Sequence, residues 1–162
     1  MSPDTPADVV TPALLRNHTQ DLEAAALDAP EALKRVWSGL CLARLLGLRL
    51  ALADQTWHRR QGNAASVEHQ LARDLGTTAT FADTALRLPD DDAPPPLAGD
   101  EVDEAVAALV GFSTTARRRM LAAAPLATQW HDERVLRHDS KVIGELGEAW
   151  RGNRAGYRVD RR

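Results

Sequence analysis

A chain of 162 residues is long enough for one domain with a sizeable core and too short for two large ones. Ala and Leu supply 28 and 22 residues, aromatics only 4%, and no segment of strand length alternates apolar with polar side chains, which excludes a β-rich fold. The net charge of −3 is unevenly placed: residues 1–116 carry 9 basic against 17 acidic side chains, and residues 117–162 carry 11 against 6, so the C-terminal part is suited to an acidic partner or to an acidic region of the same or another copy.

The opening "MSPDTPADVV" has prolines and acids where a signal peptide needs a basic and then apolar start, and residues 1–10 are expected to be disordered. Thr11-Pro12 offers a cap followed by proline in the first turn, which predicts helix 1 to about Ala26 along the stripe Leu14, Leu15, Leu22. Asp28-Ala29-Pro30-Glu31 repeats the start signal. Helix 2 is expected to run as far as Arg60, apolar nearly all round from Leu40 to Leu52, as befits the central helix of a bundle. Gly39 and Gly47, seven apart, suggest close helix approach or a slight kink. The run Gly39–Ala53 contains Arg44 and Arg49 and reads as too short and too charged for a bilayer. The lone Cys41 reads as a small core residue in a reducing compartment, so the expected location is cytoplasmic, with no membrane role.

"RRQGNAAS" reads as a break, and "ASVEHQLARDLGTTATFADTALRL" as helices 3 and 4 joined at Gly76. "PDDDAPPPLAGD" cannot hold a helix and reads as an extended, solvated linker over 89–99. It separates a helical part at 11–88 from a helical pair at 100–152, either as two subdomains or as one bundle with a long crossover. Asp100 is a candidate cap for helix 5, which ends before Pro125. Helix 6 carries Leu126, Trp130, Leu136, Ile143, Leu146 and Trp150, and a basic tail with frayed structure follows at 153–162. The expected fold is all-α: a bundle of five or six helices with a Pro/Asp-rich crossover.

Leu71-Ala72, Leu75, Gly76, Ala82, Ala85 and Leu86 have the spacing of a packed helix, a glycine turn and a second helix, and residues 66–88 thereby resemble the helix-turn-helix superfamily of DNA-binding proteins. An echo at 106–121, "VAALVGFSTTARRRML", sets Gly111 against Gly76. The resemblance implies nucleic-acid contacts from Thr78, Thr80 and Arg87, and from Ser113, Thr114, Arg117, Arg118 and Arg119 in the echo. Thr77 and Ala82 depart from the usual residues, and the second helix carries little positive charge for phosphate contact.

"KVIGELGEAWRG" (141–152) is similar to the first metal-binding helix of the MazG-like pyrophosphohydrolases. That resemblance implies Mg²⁺ held by Glu145 and Glu148, with Glu101 and Glu104 as further carboxylates. Val142 stands where that family has an acid, and no second acidic motif follows. His131 and His138 lie two turns apart on one helix face beside Asp132 and Asp139, a conceivable metal site that reads more readily as solvated helix surface. No phosphate-binding glycine loop or nucleophile motif is present. The expected function is a non-catalytic regulatory or adaptor protein without cofactor. In its most specific form it is a DNA-binding regulator; the alternatives are a subunit docking on an acidic protein surface, with homo-oligomers possible, and a Mg-dependent pyrophosphohydrolase.

Overall fold

A computed structural model describes residues 9–24, 26–82, 84–89 and 94–153. The expectations for residues 1–8, for Asp83, for the centre of the linker and for the tail beyond Asn153 lie outside the described residues. Among the described residues five α-helices form: α1 (Pro12–Ala24), α2 (Ala29–Ala53), α3 (His58–Gly76), α4 (Val102–Ala123) and α5 (Trp130–Arg151). No strand occurs among the described residues, so the fold is an all-α bundle.

The early start signals act as read. Thr11 Oγ1 accepts from the Leu14 N–H at 3.1 Å, and the Asp28 carboxylate accepts from the Glu31 N–H at 2.9 Å. α2 ends at Ala53 rather than Arg60, because Asp54 turns extended and accepts from the Thr56 N–H at 2.9 Å, capping a 3₁₀ turn at Gln55–Trp57. α3 then runs straight through Gly62, where the break was expected. Its buried stripe Ala64, Val67, Leu71, Leu75 outweighs the roughly 1 kcal/mol that one exposed glycine costs a helix.

α2 is the centre. Leu33, Val36, Leu40, Leu46 and Leu50 are fully buried, and one hydrophobic cluster joins residues from both sides of the linker. α1 and α2 pack on α4, and α3 and α4 pack on α5. At 25 residues α2 is long and apolar enough to cross a membrane by length and composition, so the length argument drawn from Gly39–Ala53 does not stand. Within the bundle its two arginines are buried and put to structural use. Arg44 Nε donates to the Pro89 carbonyl and Arg49 Nε to the Pro95 carbonyl, both at 2.9 Å; Arg49 Nη1 also donates to the Val10 carbonyl at 2.7 Å. With Leu97 buried and its N–H donating to the Arg49 carbonyl, the described parts of the linker are tied to α2, while Pro95, Pro96, Ala98 and Gly99 stay exposed to solvent as expected.

Candidate functional site

The helix-turn-helix geometry does not form. Gly76 is the last residue of α3 and takes no left-handed conformation; the positive-φ glycine among the described residues is Gly152, which ends α5. After Gly76 comes one 3₁₀ turn, Ala79–Phe81, and the described residues 84–89 form no helix where helix 4 was expected. Threonine chemistry explains this. Thr77 and Thr78 hydroxyls donate to the Asp74 and Leu75 carbonyls at 2.6 and 2.7 Å, closing α3 with side chains that compete for its backbone groups. The Asp132 carboxylate, buried on α5, then accepts from the Ala79 N–H at 2.7 Å and from the Thr80 hydroxyl at 2.8 Å. Phe81 is buried below this turn.

The echo is not a turn either, since α4 is continuous from Val102 to Ala123 through Gly111. Of the residues assigned to nucleic acid, Thr78 and Ser113 are buried and Thr80 is engaged by Asp132. Ser113 donates to the Ile143 carbonyl and accepts from the Gly147 N–H, tying α4 to α5. Arg118 pairs with Glu23 of α1, and this bond pulls the Glu23 carboxyl below its ordinary range. Arg87, Thr114, Arg117 and Arg118 are exposed, and Arg119 is half-buried.

The carboxylates assigned to Mg²⁺ are engaged singly. Glu101 accepts from the Ala98 N–H and Glu104 faces Arg16. Glu148 is bound by Asn153 and Arg151, which hold its carboxyl below the ordinary carboxylate pKa. Glu145 is exposed on α5. None of the four joins a ligand-type cluster among the described residues.

The cluster that does form lies in a cleft of about 430 Å³ between α3 and α5, lined by Gln70, Asp74, Thr77, His131, Arg134 and His138 with Asp139. Asp74, in the last turn of α3, and His138 and Asp139 of α5 bring one ligand-type atom each within 4.8 Å of one another. His138 is exposed, with its Nε2 3.8 Å from Asp139 Oδ1. Asp139 is wholly buried, and neither carboxylate oxygen has a hydrogen-bond donor among the described residues. Burial first, and the facing Asp74 carboxylate second, push the Asp139 carboxyl up to about 9. A hydrogen bond between the two carboxyls exists only while Asp139 holds its proton. His131 stays at the rim, its Nε2 2.9 Å from Thr77 Oγ1.

Sequence reasoning put His131 and His138 on one face with Asp132 and Asp139 beside them but set them down as surface, and it missed Asp74. The signal available was that Asp139 falls in register with Leu136, Val142, Ile143 and Leu146, on the buried side of α5.

The end of α4, the turn after it and the start of α5 each leave a large apolar side chain exposed. Trp130 is 72% exposed, Leu126 58% and Leu121 43%. Arg134 lies over the Trp130 ring, 5.4 Å from its centroid. Along α4, Arg117 lies against Gly144 of α5. No protein-family model, curated protein or solved structure matches this chain.

Proposed function

We propose that the protein is a non-catalytic helical subunit that docks on an acidic protein surface through the corner formed by Leu121, Leu126 and Trp130. The observation that carries this reading is the 72% exposure of Trp130. A helix-leading tryptophan left in water, stacked with an arginine, combines the two residue types that dominate binding energy at protein interfaces. The buried Trp150 at the other end of the same helix is the contrast: one ring serves the core and the other is left for a partner. Exposed Arg117, Arg134 and Lys141 set the chemistry of that partner as an apolar side chain flanked by carboxylates.

The test places a photo-crosslinking residue at Leu126, and at Leu52 on α2 as an exposed control, in the full-length chain expressed in cells. The captured protein is then purified and titrated against wild type and Trp130→Ala. The reading expects capture from position 126 and not from 52, an acidic partner surface, and a loss of affinity of about 2 kcal/mol in the variant. Equal capture at both positions, or an affinity unmoved by Trp130→Ala, ends it. Duplex DNA at two salt concentrations is the second arm: salt-steep binding abolished by Arg117/Arg118/Arg119→Ala would return the chain to nucleic acid.

A further inference from the structure

We propose that Asp74, His138 and Asp139 bind a divalent transition-metal ion of the zinc class, clipping α3 to α5. This site is independent of the docking corner.

The first ground is Asp139 itself. Buried carboxylates in folded proteins accept hydrogen bonds or face a cation. Asp139 is wholly buried, lines the cleft, and has no hydrogen-bond donor on either oxygen among the described residues. Its facing neighbour is a second carboxylate, Asp74, which stands in the last turn of α3. Two facing acids, one of them buried without a donor, make a locus that a cation relieves.

The second ground is the donor set. Two carboxylate oxygens and one imidazole nitrogen suit zinc and its first-row neighbours, whereas calcium and magnesium prefer all-oxygen shells of six or more ligands. Ligand atoms around a tetrahedral zinc ion, at about 2.0–2.2 Å from it, stand about 3.4 Å apart. The three atoms here lie within 4.8 Å of one another, so a closure of up to about 1.4 Å completes the site. The exposed His138 ring is free to supply that movement, while Asp139 is held by its burial. Asp74 comes from α3 and the other two from α5, so the ion ties together two helices separated in sequence by the whole crossover and α4. The fourth coordination position opens on the cleft near Thr77 and His131.

The experiment uses the full chain, freed of metal with a chelator and titrated calorimetrically with Zn²⁺, while Co²⁺ absorption reports the coordination geometry. His138→Gln is the principal variant because that side chain is exposed and its loss leaves the core intact; Asp139→Asn is the second, and His69→Gln, an exposed histidine outside the cleft, is the control. The expected result is one equivalent of Zn²⁺, tetrahedral or five-coordinate Co²⁺ bands and a raised Tm. Both cleft variants should weaken binding by about tenfold or more, and His69→Gln should not. Absence of saturable binding in wild type would overturn the proposal and leave Asp139 to hold its proton. Binding that survives both His138→Gln and Asp139→Asn would overturn it equally, placing the ion elsewhere.

Discussion

The charges that matter most in this protein are those set on apolar helix faces. Glu68 occupies a core-facing position of α3, and Arg44 reaches it from α2 at 3.0 Å with both side chains buried. Burial pushes the Glu68 carboxyl up to about 7, against the pull of Arg44 in the opposite direction. A carboxyl raised above its unfolded value of 4.5 contributes stability that is full below that value and is lost as pH climbs through about 7. The stability difference between wild type and Glu68→Gln should therefore shift against wild type between pH 4.5 and 8, by on the order of 3 kcal/mol. Urea midpoints measured across that range give the answer, and parallel curves for the two proteins would remove Glu68 as the titrating group. Cys41 lies near the same carboxylate, and burial, then the Glu68 charge, push its thiol up to about 11. Alkylation of the native protein at pH 8 should run roughly two orders of magnitude slower than that of a free cysteine, and a rate equal to that of the urea-unfolded chain would contradict it. In the sequence, Glu68, Asp132 and Asp139 are ordinary acids on amphipathic helices. Their place in the 3.6-residue register marks them as buried, but the register does not say what each meets. Asp132 meets an N–H and a hydroxyl, Glu68 an arginine, and Asp139 another acid.

At the scale of elements, caps were legible at Thr11-Pro12 and Asp28-Ala29-Pro30-Glu31, whereas Asp100, the candidate cap for the helix that is α4, falls inside a 3₁₀ turn at Gly99–Glu101. Two further features were not legible. Asp54 caps a turn inside what periodicity alone continues as one helix, because nothing apolar changes there. The glycine pattern at 66–88 resembled a helix-turn-helix, yet the helix after Gly76 depends on residues whose side chains prefer local bonds to helical ones. What anchors that segment comes from more than fifty residues away, in Asp132. Asp132→Ala should cost about 2–3 kcal/mol, since it leaves the Ala79 N–H and the Thr80 hydroxyl without their acceptor. It should also raise hydrogen exchange at Ala79 and Phe81 more than at the centre of α2. Uniform loss of protection across the chain would instead mean that the turn and the core open as one unit. The site was partly legible for the same reason: His131, His138 and Asp139 share a sequence segment, while Asp74 reaches them only through packing of α3 on α5.

At the scale of the whole molecule, close approach of the helices depends on missing side chains. A β-carbon at Gly47 would stand 2.5 Å from Trp150 Cζ2, and one at Gly147 would stand 2.7 Å from the Ser113 hydroxyl oxygen; at Gly39 the Phe112 ring fills the same space. These glycines dock α2 on α5 and on α4, and α4 on α5, across the Pro/Asp crossover, so the segments before and after it cannot bury their faces separately. Arg44 and Arg49 add the crossover itself to the same body. The chain should then unfold as one cooperative unit, with helical circular dichroism and the fluorescence of buried Trp150 lost at the same urea concentration. Gly47→Ala should lower that shared midpoint, by about 1–3 kcal/mol of overpacking, without separating the two signals. Two resolved transitions in wild type would mean that the linker divides the chain into independent halves and that the packing of α4 on α1 and α2 contributes little. A single transition that moves as one in the variant would make the ring seated on Gly47 a determinant of the whole bundle.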